Sequence, residues 1–138
     1  MALSRQFFSV VLIFVLLFSS QAYAEVPEEI AIRVLIGEAA DQGFKGMVCV
    51  GEVLRRRKSI KGFYGYKSKR TKNIPPALRE RAIRAWRESS NTNHTLGADH
   101  FISIHSKRRP RWLNHCVKTY EYKDHIFYKE IRRPKVRT

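Results

Sequence analysis

The sequence predicts an α+β domain, three helices followed by a small antiparallel sheet. Three observations predict it. Apolar residues recur near helical spacing in three segments before Asn91, strand-like stretches take over from Gly97 onward, and Gly, Pro or Asn punctuates the borders.

Pro27-Glu28-Glu29 opens the first helix, because proline is tolerated in a first turn and two acids suit the positive end of the dipole. Ile30, Val34 and Leu35 carry the spacing to about Ala40, where Asp41-Gln42-Gly43 breaks it. A second helix is expected over residues 46–57, with Met47, Val50, Val53 and Leu54 on one face and arginines at its exit. Residues 59–74, rich in Gly, Lys and Tyr, read as an irregular loop that pivots on Gly62 and Gly65. Pro75-Pro76 introduces a third helix to about Ser90, with Leu78, Ala82, Ala85 and Trp86 as its apolar stripe, and Asn91-Thr92-Asn93 ends it. Residues 98–105 and 117–122 are expected strands. Residues 125–130 are a return strand after a turn at Lys123-Asp124 that lacks the usual glycine.

The first 24 residues have another character. Arg5 and the amino terminus give a positive start, residues 7–18 are apolar except Ser9, and Ala22-Tyr23-Ala24 places small residues where a signal peptidase reads. Residues 1–24 are therefore expected to be a signal peptide and residues 25–138 an exported domain, in the periplasm or the extracellular cell wall. No run reaches the roughly 20 apolar residues of a membrane span, and none is expected after cleavage.

Charge narrows the partners. The chain carries 27 Lys+Arg against 12 Asp+Glu, a formal +15, and its 43% hydrophobic content excludes a disordered tail. The cations gather in Arg55-Arg56-Arg57-Lys58 and in residues 67–72, 107–111 and 132–137. Any one cluster reads first as a solvated face. Four on so short a chain favour a polyanionic setting, such as the anionic polymers of a bacterial envelope. No base-reading motif accompanies them, so no specific nucleic acid is expected, and nothing in the pattern sets an oligomeric state.

Two cysteines are too few for a disulfide-dense scaffold or a four-cysteine zinc module. In an oxidising compartment Cys49 and Cys116 can close one bridge. Cys49 sits among Met47, Val48 and Val50, which fits a buried free thiol equally well. The five histidines form no compact ligand pair, so neither a metal nor another cofactor is expected.

Glu38 is the most informative residue. It lies near the end of an otherwise apolar helix, in Leu35-Ile36-Gly37-Glu38-Ala39-Ala40. Apolar neighbours disfavour the charged carboxylate, so such a group holds a proton at higher pH and can protonate a glycosidic oxygen as it leaves. The competing reading is a solvated glutamate at a helix end. The second half supplies Asp99-His100-Phe101, Trp112 and His125-Ile126-Phe127-Tyr128, polar groups and rings suited to sugar hydroxyls and C–H faces. Taken singly, Trp112, Phe127 and Tyr128 fit a core as well as a platform. Glu52, beside the arginine run, reads as a salt-bridged surface acid.

Read in order, these stretches resemble a family. Ile36-Gly37-Glu38-Ala39 followed by Gly46 to Arg56, then Gly97-Ala98-Asp99-His100-Phe101, Pro110-Arg111-Trp112 and His125-Ile126-Phe127-Tyr128, are similar to the motifs of the SleB-type cell-wall hydrolases, which include spore-cortex-lytic enzymes. The resemblance spans about residues 30–129. It departs where the family has a second acid, since Gln42-Gly43-Phe44 stands there, and at Arg55, where Asn is usual. The resemblance implies a lysozyme-like fold and a peptidoglycan-cleaving enzyme acting between N-acetylmuramic acid and N-acetylglucosamine. It implies a lytic transglycosylase with Glu38 as its single acid and base, without a second carboxylate. Asp99, His100, Phe101, Trp112, His125 and Tyr128 become the substrate-binding candidates, and peptidoglycan glycan strands the partner. The alternative is a non-catalytic basic protein that binds cell wall or nucleic acid.

Overall fold

The computed structural model describes residues 25–132. The expected signal peptide and the basic cluster beyond Arg132 lie outside the described residues. Helix α1 spans Glu28–Ala39, a short 3-10 segment Ala40–Gln42 follows, and helix α2 spans Gly43–Arg57. Helix α3 is Pro76–Glu88, with proline in its first turn. The strands are β1 (His100–Ser103), β2 (Cys116–Tyr122) and β3 (His125–Glu130). This is the expected α+β architecture. β1 is shorter than the stretch 98–105 suggested, although Asp99 N–H and Ile104 N–H just beyond its ends still bond the carbonyls of Tyr128 (3.0 Å) and Asp124 (2.8 Å).

The three helices pack on one another, each against both of the others. Every residue from 46 to 54 of α2 is buried, so its middle is enclosed on all sides and not on one stripe alone. Ile32, Leu35 and Ile36 of α1, Ala82, Ala85 and Trp86 of α3, and Phe127 of β3 complete the core. Burying each such large aliphatic or aromatic side chain contributes roughly 1.5–3 kcal/mol.

The sheet is antiparallel in the order β1-β3-β2. Phe101 pairs with Phe127 and His100 with Tyr128. Alternation therefore puts Phe101, His125 and Phe127 on the core side and His100, Ile126 and Tyr128 on the outer side. β2 carries a bulge between Lys118 and Tyr120. The extra residue, Thr119, turns its hydroxyl to the carbonyls of Thr95 (2.7 Å) and Phe127 (3.4 Å). The bulge reverses the alternation: Tyr120 pairs beside Phe127 on the inner face, while Lys118 pairs with Tyr128 on the outer. The turn from β2 to β3 is made by Lys123 at φ 48°, in place of the missing glycine.

The arginine run at the exit of α2 does not form the free cationic patch that the sequence suggested. Arg55 lies over the Trp86 ring at 3.7 Å, donates to Ser89 Oγ (2.8 Å) and the Trp86 carbonyl (2.6 Å), and ion-pairs with Glu25. Arg56 donates to Thr95 Oγ1, the Ala98 carbonyl and Asn93 Oδ1. Arg57 covers the Phe63 ring at 4.8 Å and donates to the Lys61 carbonyl. Each guanidinium fastens a different downstream segment to the helix, using the planar donor fork that lysine lacks. Among the described residues no helix is long and apolar enough to cross a membrane.

Candidate active site

Glu38 is one residue from the end of α1 and lies against the loop 59–74, which is ordered by two 3-10 turns at Gly65–Lys67 and Lys69–Thr71. Gly65 N–H donates to Glu38 Oε1 at 2.7 Å. That contact depends on two glycines meeting backbone to backbone. A Cβ on Gly37 would fall 1.8 Å from the Gly65 carbonyl oxygen, and one on Gly65 would fall 2.8 Å from Glu38 Cδ. No side chain fits at either position without moving the loop away from the helix. Burial raises the Glu38 pKa from its ordinary value, against the opposing pull of the Gly65 amide, Arg70 and the Tyr64 amide. The carboxyl is nonetheless only part-buried, so it is desolvated without being sealed.

Three residues onward, Asp41 is bound by both terminal nitrogens of Arg70 at 3.3 Å and by Gln42 Nε2 at 3.2 Å. Burial works against its charge, but the bonds from Gln42 and Arg70 outweigh it and hold the pKa below the ordinary value. Gln42 is buried and ties this corner to the sheet. Its amide donates to Asp124 Oδ2 (3.2 Å), and its carbonyl accepts from the Asp124 backbone (3.0 Å). The amide that stands in place of the resembled family's second acid is thus a clamp between the end of α1 and the β2–β3 turn. Gly65, Arg70 and Asp41 were missed as site residues from the sequence. The short Gly-x-x-Gly spacing in a cationic loop was the available signal, and nothing in it named Glu38 as the partner.

The six substrate-binding candidates fall into two groups. Phe101 and His125 are on the inner face, with ring centroids 4.9 Å apart, and Phe101 meets Phe63 of the loop at 5.8 Å. His125 is only 6% exposed and its Nδ1 has no hydrogen-bond partner. Burial lowers its pKa, against the opposing influence of Asp41 and Asp124, so the ring packs as a neutral member of the aromatic layer. Of the six candidates it is the one the structure buries. His100, Trp112 and Tyr128 form the second group on the outer face. The Trp112 ring is 4.6 Å from His100 and 5.7 Å from Tyr128. Asp99 accepts from Glu130 N–H (3.0 Å) and pairs with His100 Nδ1 (2.8 Å), which fixes the imidazole against the indole. The partners of this group are one another; those of Glu38 are in the 64–70 loop.

Glu52 is corrected outright. Its side chain is fully buried, and it accepts from Thr92 Oγ1, His94 N–H, Thr95 N–H and Thr95 Oγ1 at 2.7–3.0 Å. Arg56 stands 3.9 Å away. Burial alone would raise its pKa, but the donors from Thr92, Thr95 and His94 prevail and lower it. It is an interior lock for the turn before β1. Cys49 and Cys116 are free thiols, Cys49 inside the core and Cys116 at the start of β2, so the considered bridge is not made. Burial pushes the Cys49 thiol up to about 12. Among the described residues no group of three His, Cys, Asp or Glu side chains is placed to hold a metal ion.

Compared with protein-family models, with curated proteins and with solved structures, the chain finds no match.

Proposed function

We propose that this chain is an exported enzyme that cleaves the glycan strands of peptidoglycan, with Glu38 as its single acid and base. The observation that carries the proposal is the setting of the Glu38 carboxyl: desolvated so that its proton is held more tightly than usual, bonded at one oxygen by Gly65 N–H, and without the four donors that fill Glu52. The motif resemblance to SleB-type hydrolases and the basic surface support the same substrate.

The chemistry follows from one transferable proton. Protonated Glu38 gives its proton to the glycosidic oxygen as the bond from C1 of N-acetylmuramic acid breaks. The carboxylate left behind is stabilised by the Gly65 amide, and it takes the proton of the muramyl 6-hydroxyl as that oxygen bonds to C1. Atoms and charge balance without water, and the acid is regenerated. This route needs no second carboxylate at the fixed separation of the two-acid hydrolases. Glu52 is sealed among its four donors, and Asp99 is engaged by His100 and Glu130. Asp41, bound to Arg70, is the acid that a hydrolytic route would have to recruit.

The test is mass spectrometry of sacculi digested with the purified protein. Products with 1,6-anhydromuramic ends, about 18 Da lighter than reducing ends, are expected because attack is intramolecular. Reducing ends of ordinary mass would turn the reading to hydrolysis. Absence of any released fragment would remove it in favour of a binding protein.

A further inference from the structure

The loop that holds Glu38 also carries an aromatic ring with no structural duty. Tyr64 is 84% exposed, the most exposed of the large apolar side chains among the described residues. Its neighbour Gly65 makes the hydrogen bond to Glu38 Oε1, and the Tyr64 amide faces the same carboxyl. The ring is therefore anchored one residue from the amide that bonds the proposed acid.

The loop does not need that ring in order to hold its shape. On the near arm, Arg57 covers Phe63 and bonds the Lys61 carbonyl, and Phe63 N–H donates to the Ile60 carbonyl at 2.9 Å. On the far arm, Thr71 Oγ1 donates to the carbonyls of Tyr66 (3.0 Å) and Ser68 (2.9 Å), and Arg70 grips Asp41. Lys67 N–H closes onto the Tyr64 carbonyl at 3.2 Å. Every one of these ties involves backbone or another side chain. An aromatic ring held out into water on a fixed backbone loses little conformational entropy when a flat partner covers it.

We infer that Tyr64 is a stacking residue for the glycan strand, covering the C–H face of a sugar ring next to the bond that Glu38 cleaves. This rests on the functional reading above and names the residue that sets its grip on the polymer. A saccharide suits the position for two reasons. The ring offers a flat apolar face with a hydroxyl at its edge. The same loop also carries the exposed cations Lys67, Lys69 and Lys72, which complement carboxylates hanging from the strand.

The experiment uses the secreted protein and soluble, uncrosslinked peptidoglycan strands as the probe. Tyr64→Ala should raise KM by about tenfold while kcat falls by less than about threefold, the pattern of lost substrate binding. Tyr64→Phe should recover most of that loss, since the face and not the hydroxyl does the stacking. An unchanged KM in Tyr64→Ala, with an unchanged melting temperature, overturns the inference. So does a kcat loss with KM intact. A parallel binding measurement separates this from the catalytic reading. In a Glu38→Gln background, adding Tyr64→Ala should weaken strand binding about tenfold. Equal binding by the single and double variants refutes the stacking role even if the protein proves to be no enzyme, and weakened binding upholds it in either case.

Discussion

Two glutamates sit on neighbouring helices of one core, and their environments drive them in opposite directions. Glu52 has both oxygens filled by four donors, and its pKa is lowered despite complete burial of the side chain. Glu38 receives a bond from Gly65 at one oxygen, and the desolvation of its carboxyl outweighs that bond, so its pKa is raised. The balance between desolvation and the donors aimed at the charged form decides the fate of an acid. A saturated carboxylate is a structural joint. An undersatisfied, desolvated one holds its proton more tightly.

The contrast is broken most directly by Glu38→Gln. The amide keeps the size and accepts from Gly65 but cannot transfer a proton. Release of glycan fragments from sacculi should fall at least about a hundredfold, while the melting temperature stays within a few degrees. Full activity in this variant would sink the assignment.

Glu52→Gln should show the reverse pattern. The new NH2 would face the fixed N–H groups of His94 or Thr95, leaving buried donors opposed, and stability should fall by about 2 kcal/mol in a denaturant melt. Activity per folded molecule should hold. The pH dependence sharpens the same pair. The folded pKa of Glu52 is depressed, so its stabilisation is fully present above the ordinary value of 4.5 and is lost as pH falls through the folded value. The folded pKa of Glu38 is raised, so its contribution is present below 4.5 and is lost as pH rises through the folded value. In Glu38→Gln the second loss should vanish from a stability-versus-pH curve while the first remains.

A smaller effect is expected from Gly37→Ala. The added Cβ drives into the Gly65 carbonyl, so the loop must withdraw its amide from Glu38. Activity should drop about tenfold and stability by about 1 kcal/mol, as overpacking does. An unperturbed variant would show that the loop is not what tunes the acid. The least disruptive check is thiol counting with an alkylating reagent and no reductant. Native protein should label at Cys116, and unfolded protein at both cysteines. Labelling of neither when unfolded would establish a bridge.

Much of the fold was legible because its signals are local. Pro27 and Pro76 mark helix starts, and residues 125–130 form the strand their composition suggests. Glu38 was legible too, as an acid in an apolar helix. What escaped the sequence is what joins residues far apart. The donors that bury Glu52 arrive 40 or more positions later, from Thr92 to Thr95. The arginines of α2 look like a charge cluster until Trp86, Ala98 and Lys61 are seen beneath them. The bulge at Thr119 escaped for another reason. Its only local trace is a threonine in a strand that tolerates threonine anyway, yet it decides which tyrosines face inward.

That bulge has a further consequence for a protein that would work crowded against a polymer. β1 and β2 are the rims of the sheet, and a bare rim is a template on which another chain can add itself. β1 is only four residues long, and β2 is kinked by Thr119 and fenced by the Lys118–Glu121 ion pair. Neither rim offers the long straight ladder that fibre growth requires.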